Sequence, residues 1–365
     1  MSETVVDLAC GGLRDSRALA QLSLAEWGLV IRQARRADVL ARIGGILQQR
    51  GELGQVPERP REHLLWALRT AQAQHVQVRR EAGFILAALG DLAVPVVFLK
   101  GAAYVLAASP AALGRMSADV DILVPRSALP AVEDRLMMHD WFGSHHDAYD
   151  QRYYREWMHE LPPLHHRRRG TTLDVHHNIL PSTVRRPVDA RLLLERAKPL
   201  PDLPGGLVLD APDMVLHSLT HLIHNDDLSH ALRDLSDIDL LLRHHAESAD
   251  FWPGLLQRAD QLNLQRPLVY GLWAVTHSFG TPVPAEVLAA CARHAPAWPV
   301  QRLMQALLRR GLRTAHPLAE LPMNDAALLA LTVRAHWLRM PPLLLTRHLA
   351  RKAWRRFNRT PTELP

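Results

Sequence analysis

The sequence has few cysteines. Of its 365 residues only two are cysteine, Cys10 and Cys291, and they lie far apart in the chain. A small secreted protein held by disulfides needs several paired cysteines, so this class is excluded, and two isolated thiols are typical of a reducing compartment. Neither thiol lies in a metal-binding or nucleophile motif. We therefore expect a cytoplasmic protein that depends on a hydrophobic core.

Long apolar runs are also missing. No uninterrupted stretch reaches the roughly 18 apolar residues that a membrane-spanning helix needs. The start of the chain, Met1-Ser2-Glu3-Thr4, lacks the basic residues and the apolar stretch of a signal peptide. We expect no transmembrane segment. A hydrophobic content of 48% with 22% charged residues predicts a folded chain of one large or two ordinary domains.

The net charge of +6 permits an acidic partner such as RNA without requiring one. Basic residues concentrate near the C-terminus and alternate there with apolar side chains. They are Arg347, Arg351, Lys352, Arg355, Arg356 and Arg359, interleaved with Leu349, Ala353, Trp354 and Phe357. Three interpretations of this basic amphipathic segment stay open: a helix that covers the core of the protein, a helix that binds RNA, and a helix on a membrane surface.

The clearest chemical signal lies near position 100. The pattern predicts a strand from Val94 to Leu99, a tight turn at Gly101, a short helix, and a second strand that begins at Asp119. Asp119 and Asp121 share one face of this strand, because successive side chains point to opposite faces. We expect that face to be wet. Two carboxylates at this spacing can bind a hard divalent cation that also binds phosphate oxygens, so the pattern predicts a magnesium nucleotide site.

A third carboxylate follows in a later strand-like run. Asp174 and His176 share one face of the run Thr171–His176, while Leu173 and Val175 point to the other. The residues 165–170 before it are predicted to form the partner strand and the turn of a hairpin, since Gly170 closes such turns readily. Asp174 is then expected to lie beside the first two aspartates.

Helical periodicity is strong on both sides of these strands. The predicted helices are one capped by Ser23, one from Pro60 to near Gly90, one from Ser127 to a turn at 141–143, and one over 213–245 that breaks near 225–227. Residues 199–206 are rich in proline and glycine and are predicted to form a link that precedes a C-terminal helical region.

Together these residues resemble the polymerase-β-like nucleotidyltransferase superfamily, and within it a bacterial family of uncharacterised nucleotidyltransferases. The resemblance covers roughly residues 30 to 245. It is carried by Leu99-Lys100-Gly101, Arg115, Asp119-Val120-Asp121-Ile122-Leu123-Val124, Asp174-Val175-His176 and Leu232-Arg233-Asp234-Leu235-Ser236-Asp237.

The resemblance implies an α+β fold in which a small mixed β-sheet core is flanked by N-terminal and C-terminal helical regions. We place the N-terminal helical region at residues 1–90, the nucleotidyltransferase core at 91–198 and the C-terminal helical domain at 207–365.

The activity that the resemblance implies is metal-dependent transfer of an NMP group from an NTP, such as ATP, to an acceptor, with release of pyrophosphate. Mg²⁺ or Mn²⁺ would be the cofactor. Asp119 and Asp121 would bridge two metal ions, and Asp174 would hold the catalytic ion and help to activate the acceptor hydroxyl. Two cations suit this chemistry because charge develops on both the attacking and the leaving oxygen.

The nucleotide would contact Lys100, Gly101, Ala102 and Arg115 by the same resemblance. The superfamily usually has Gly-Ser or Gly-Gly at this turn, where this chain has Gly101-Ala102, so a phosphate-binding hydroxyl is missing. Backbone N–H groups at a helix N-terminus can receive an anion without it, and Lys100 can supply positive charge.

Four further residues are weaker candidates for the site. His176 belongs to the Asp-x-His motif, and the helix with Arg233 and Asp237 is expected to pack on the core and to present Arg233 toward the nucleotide. Salt bridges are the ordinary role of such charges on a helix. His221 shares a helix face with His217 and His224, and zinc binding, contact with the nucleotide or acceptor, and simple packing all stay open.

The acceptor is unidentified, and the sequence does not distinguish a small molecule from a peptide or a glycan. Two other functions stay open: a toxin-like nucleotidyltransferase that modifies tRNA or other RNA, which the basic composition favours, and a nucleotide-binding module with weak catalysis, which the missing hydroxyl favours. No motif specifies the base of the nucleotide or the oligomeric state.

Overall fold

The computed structural model describes residues 6–117, 119–143 and 157–340, together with Thr346. The basic amphipathic segment of residues 347–359 lies outside this part of the chain. Four helices come first: α1 (Leu8–Arg14), α2 (Leu24–Arg36), α3 (Leu40–Gln49) and α4 (Glu58–Leu89). The predicted N-terminal helices are confirmed, including the cap, since the Ser23 hydroxyl and the Glu26 carboxylate form a capping box at the start of α2.

Seven strands form one mixed sheet within the described residues. The strands are β1 (Val96–Leu99), β2 (Asp119–Leu123), β3 (Trp141–Gly143), β4 (Leu164–His166), β5 (Thr172–His176), β6 (Lys198–Pro199) and β7 (Gly206–Val208). Their order is β3-β4-β5-β2-β1-β7-β6. β2 pairs parallel to β5 and β1 pairs parallel to β7, whereas the other pairs are antiparallel. The predicted α+β fold with a mixed sheet is confirmed.

Within the described parts of the chain, three α-helices belong to the sheet region and seven follow it. The first three are α5 (Lys100–Leu106), α6 (Leu129–Met138) and α7 (Ala190–Arg196). The remaining ones are α8 (Ala211–His224), α9 (Ala231–His245), α10 (Phe251–Gln261), α11 (Gln265–Phe279), α12 (Ala285–Ala292), α13 (Trp298–Gly311) and α14 (Asn324–Arg339). The break between α8 and α9 falls where the sequence predicts it.

The central strands are apolar because they are covered on both faces. All four residues of β1 are buried, and in β2 only Asp119 is exposed. The long helix α4 packs against α3, α5, α6 and β2 and contributes Val78, Ala82 and Ile85 to the core. One connected hydrophobic core includes residues from all three predicted regions, so the sheet is held between the N-terminal and the C-terminal helices.

Two predictions about loops are wrong. Residues 199–206 do not form a link, because β6 and β7 make an antiparallel hairpin whose second strand adds to the sheet beside β1. Proline and glycine serve a tight turn between strands here as readily as they serve a linker. Residues 141–143 are not a turn but the edge strand β3, in which Trp141 is buried and pairs with His166.

A glycine in the loop that leads into β2 packs directly against the backbone of α3. Gly114 has a φ of 59°, in the left-handed region, and a Cβ atom built there would lie 2.3 Å from the backbone carbonyl carbon of Ala41 and 2.3 Å from the backbone nitrogen of Arg42. Only glycine fits this position, because both the backbone conformation and the space exclude a side chain. The close contact places Arg115, the next residue, against the N-terminal helices.

We predict that Gly114→Ala lowers the free energy of unfolding by about 2 to 4 kcal/mol, because left-handed strain is added to a steric clash with backbone. Gly170→Ala is the matched control, since Gly170 has a φ of 68° but no atom within 4 Å of its Cβ position, and its cost is about 1 kcal/mol. Urea denaturation of both variants measures the difference. Equal losses would contradict the close contact with α3.

Candidate active site

The register of two parallel strands places the three aspartates on one face of the sheet. Asp121 in β2 pairs with Asp174 in β5, and Asp119 pairs with Thr172. Side chains at paired positions of neighbouring strands point to the same face. The predicted position of Asp174 beside the first two carboxylates is therefore confirmed, and so is the predicted hairpin of β4 and β5, whose turn has Gly170 with a φ of 68°.

Asp121 is not exposed to solvent as the sequence pattern suggested. Only 3% of its surface is accessible, and one carboxylate oxygen, Oδ1, accepts hydrogen bonds from Lys100 Nζ at 2.6 Å and from His176 Nε2 at 2.8 Å. Burial alone would raise the pKa of Asp121, but these two partners outweigh it and hold the pKa well below its ordinary value. The expectation of a wet acidic face is correct for Asp119 only, which is exposed.

Lys100 has an unusual backbone at the junction of β1 and α5. Its φ is 48°, a left-handed conformation that non-glycine residues rarely adopt. Its ammonium group lies against Asp121, and 22% of its side chain is accessible. Burial favours the neutral amine, but the Asp121 carboxylate outweighs this and raises the pKa of Lys100 above its ordinary value. Lys100 is therefore a charged group at the edge of the cleft described below.

Asp174 lacks the partners that Asp121 has. Its Oδ1 atom is buried and has no hydrogen-bond partner. Burial, followed by repulsion from the Asp121 carboxylate, raises the pKa of Asp174 to about 7. A divalent cation would satisfy this oxygen and relieve the repulsion, so the donor set fits a hard metal ion. Asp119, Asp121 and Asp174 do not all bring oxygens within 4.8 Å of one another, so an ion held by all three would need these side chains to move closer together.

A cleft of about 420 Å³ opens beside the aspartates. Its lining contains acidic and basic side chains. They come from the N-terminal helical region, the sheet region and the C-terminal helices. The residues are Asp38, Gln74, Lys100, Gly101, Tyr104, Arg115, Met116, Ser117, Asp119, Asp121, Ser218, His221, His230, Arg233, Asp234 and Asp237. Of the predicted site residues, the structure brings all but Ala102, Asp174 and His176 to the lining of this cleft.

The glycine turn has a hydroxyl close to it. A Cβ atom built on Gly101 would lie 2.1 Å from Ser117 Oγ, so no side chain fits at position 101 unless Ser117 moves. Ala102 itself is buried. Ser117 therefore places a hydroxyl in the cleft beside the turn, where the sequence alone shows only the lack of one.

Arg115 is tied to the helix α9 and is not a free cation. Its Nε donates a hydrogen bond of 2.8 Å to Asp237 Oδ2, and its Nη2 lies 3.8 Å from Asp234 Oδ1. The other oxygen of Asp237 forms an ion pair of 2.6 Å with the fully buried Arg42 of α3. Burial would lower the pKa of Arg115, but Asp237 outweighs it and raises that pKa. Asp237 thus connects α3, the loop before β2, and α9.

Arg233 and His221 also line the cleft. Arg233 donates to Asp234 at 2.9 Å and to Asp38 at 3.3 Å, and His221 Nδ1 lies 3.8 Å from Asp234 Oδ2. Arg233 is therefore presented to the cleft, as predicted. The zinc interpretation of the helix α8 gains no support, because His224 is hydrogen-bonded to the Thr220 carbonyl at 3.0 Å and the three histidines do not gather into a metal-ligating group.

Several residues of the cleft were not predicted from the sequence. Asp38 comes from the turn between α2 and α3, Gln74 comes from α4, and Tyr104 shares a hydrogen bond of 2.6 Å with Ser218 of α8. No local motif marks these residues, because packing between distant helices brings them to the cleft. Arg42, which fixes Asp237, could have been found only as a charged residue in the apolar pattern of α3.

The α+β fold with a mixed sheet and flanking helices is the one that the sequence resemblance implies. A family model described as an uncharacterised nucleotidyltransferase matches residues 23–280. This match covers more than half of the chain, and the chain belongs to this family. The general activity is therefore nucleotidyl transfer. The chain matches no curated protein.

Among the described helices, none combines the length and the apolar character needed to cross a membrane.

We predict that Asp237→Asn lowers the free energy of unfolding by about 3 to 5 kcal/mol, because it leaves the buried Arg42 without a counter-charge. The control is Arg191→Gln, which breaks a pair in which 83% of the arginine side chain is accessible, so it is expected to leave the midpoint of unfolding nearly unchanged. Chemical denaturation measures both. A loss at Asp237 as small as that of the control would contradict a structural role for the buried pair.

Proposed function

We propose that the protein is a metal-dependent nucleotidyltransferase that moves an NMP group from an NTP to a hydroxyl of a small acceptor. One observation carries this proposal: Asp119 and Asp121 line a cleft that also contains Lys100 and Arg233, and Asp174 lies beside Asp121 on the paired strand. Carboxylates suit hard cations, and the nearby cations suit a triphosphate.

The three aspartates would hold Mg²⁺ or Mn²⁺, which supplies charge stabilisation at the phosphorus that reacts. Gly101 lets the backbone at the start of α5 lie close to Ser117, whose hydroxyl would be a donor to a phosphate oxygen. Lys100 and Arg233 would neutralise phosphate charge, and Arg233 would have to exchange its contacts with Asp38 and Asp234 to do so. Arg115 acts mainly by fixing the loop before β2, since Asp237 and Asp234 already occupy its guanidinium group.

The transfer itself forms one bond and breaks one. The acceptor oxygen bonds to the α-phosphorus, the bond between that phosphorus and the bridging oxygen to the β-phosphate breaks, and pyrophosphate leaves. The acceptor loses its hydroxyl proton in this step, and Asp174 is the carboxylate that would help to activate the hydroxyl. Its buried, unpartnered oxygen supports this role.

A second, smaller cleft supports a small acceptor. It has a volume of about 150 Å³ and shares Gln74, Ser117 and Asp119 with the larger cleft. Its other lining residues are Gln77, Val78, Glu81, Val120, Thr171 and Thr172. No lysine, arginine or histidine lines it among the described residues, and the hydroxyl of Thr171 is buried without a partner. Such a lining favours an uncharged, hydroxyl-rich acceptor over a polyanion, because RNA binding depends on basic residues.

RNA stays the alternative acceptor, because the overall charge of +6 permits it and the basic segment 347–359 lies outside the described residues. The peptide and glycan acceptors and the weakly catalytic nucleotide-binding module also stay open. Labelling experiments separate these possibilities.

The proposal is tested by incubating the protein with Mg²⁺, each of the four α-labelled NTPs and a fractionated cell extract. We expect label to enter the small-molecule fraction, and Asp119→Asn to reduce transfer by at least about 100-fold, since it removes an exposed metal ligand. Asp227→Asn is the control, because Asp227 lies in the loop between α8 and α9 and only accepts a hydrogen bond from the backbone of Ser229.

Label in the RNA fraction would favour the RNA-modifying alternative. Metal-dependent NTP binding with no transfer into any fraction would favour the binding module. Equal transfer by wild type and Asp119→Asn would contradict the assignment of the aspartates.

We predict that Asp121→Asn abolishes transfer and also lowers the melting temperature, unlike Asp119→Asn. The physical reason is that Asp121 is buried and holds both Lys100 and His176 through Oδ1, so its charge supports the fold as well as the chemistry. Thermal unfolding followed by circular dichroism measures the first effect, and the labelling assay measures the second. Wild-type turnover in this variant would contradict the site.

A further inference from the structure

His176 has two partners, and the proposed transfer uses only one of them. Its Nε2 donates to Asp121, while its Nδ1 lies 3.2 Å from Glu160 Oε2. A β-bridge between the backbones of Glu160 and His176 fixes this second contact. His176 is 2% accessible, so both ring nitrogens are held by protein groups at defined positions.

His159, the neighbour of Glu160, completes a cluster at this place. The Nδ1 atom of His159 is buried and has no hydrogen-bond partner, and the centre of its ring lies 5.4 Å from that of His176. The backbone of His159 is fixed, because its carbonyl accepts a hydrogen bond of 2.8 Å from His177. Burial, with the nearby charge of His176, holds the pKa of His159 well below its ordinary value. The imidazole of His159 is therefore neutral, as a metal ligand must be. Despite burial, the contacts with Asp121 and Glu160 raise the pKa of His176, so His176 would release its Nδ1 proton when an ion binds.

His159, Glu160 and His176 each bring one ligand atom to within 4.8 Å of the other two. In a tetrahedral zinc site with bonds of about 2.0 to 2.2 Å, neighbouring ligand atoms lie about 3.3 Å apart. The distance of 3.2 Å between His176 Nδ1 and Glu160 Oε2 is that of a hydrogen bond and also matches this ligand spacing, so a zinc ion could replace the shared proton without a large movement.

We propose that His159, Glu160 and His176 form a binding site for a divalent transition-metal ion of the zinc class. Two imidazoles and one carboxylate are a ligand set that suits zinc, whereas Mg²⁺ prefers oxygen ligands alone. This site is therefore distinct in chemistry from the one assigned to the aspartates, and the proposal does not depend on nucleotidyl transfer.

The site would act on Asp121 through His176. A histidine that binds a metal through one nitrogen commonly donates its other N–H to a carboxylate, and this contact fixes the ring and its tautomer. Here that carboxylate is Asp121, at 2.8 Å from Nε2. An ion at the cluster would thus fix His176 as the donor to Asp121 and hold that carboxylate in place for the chemistry.

The proposal is tested by metal analysis of the purified full-length protein, prepared without a metal-affinity step. We expect close to one zinc ion per chain by mass spectrometry. After removal of metal with a chelator, calorimetric titration with Zn²⁺ is expected to show one site. Glu160→Gln and His159→Ala are expected to weaken binding by at least about 100-fold. His165→Ala is the control, because His165 is an exposed imidazole on β4 that contacts Thr172.

Circular dichroism of each variant separates loss of the site from loss of the fold, and His159→Gln serves as a second variant if His159→Ala does not fold. Asp119→Asn is expected to bind zinc like wild type even where it has lost transfer, which separates this site from the proposed active site. The absence of zinc binding in the micromolar range by folded wild type would overturn the proposal, as would equal binding by the folded Glu160 and His159 variants. The first result would leave His176 as an imidazolium held between two carboxylates.

Discussion

The buried carboxylate of Asp237, held between Arg42 and Arg115, is the interaction on which the rest of the structure depends. It joins three segments that are distant in sequence: the N-terminal helix α3, the loop before β2 and the helix α9. Burial of guanidinium and carboxylate groups is strongly unfavourable when a charge is left without a partner, and here Asp237 serves both arginines while Asp234 lies 3.8 Å from Arg115. The network therefore fixes where β2 begins, and with it the position of Asp119 at the mouth of the cleft.

The carboxylates of Asp121 and Asp174 differ in how far neighbouring groups balance their charge, and this difference suits cation binding. Asp121 is neutralised by Lys100 and His176, whereas Asp174, its partner across the strands, has a buried oxygen with no donor. Lys100 reaches Asp121 from a left-handed backbone conformation that costs on the order of 1 kcal/mol. Such strain persists where the surroundings determine it, often at functional sites. Its occurrence at the strand–helix junction supports a role for this ammonium group at the cleft.

Much of the fold and part of the site follow from the sequence. The alternation in β2 and β5 predicts that Asp121 and Asp174 share a face, because this pattern is local. Burial of Asp121 could not be predicted, since it results from the positions of Lys100 and His176 in three dimensions. Residues 199–206 were misassigned because proline and glycine mark hairpins and linkers alike. The part of the cleft built by the N-terminal helices has no local pattern at all.

The central claim is that the three aspartates bind the cations that nucleotidyl transfer requires. It is tested most directly by electron paramagnetic resonance of bound Mn²⁺, with a non-hydrolysable NTP analogue present and zinc supplied beforehand to occupy the His159 cluster. The account predicts two Mn²⁺ ions per chain in wild type and the loss of at least one in Asp174→Asn, with the fold retained. Failure of wild type to bind Mn²⁺ with the analogue, or unchanged binding in the variant, would contradict it.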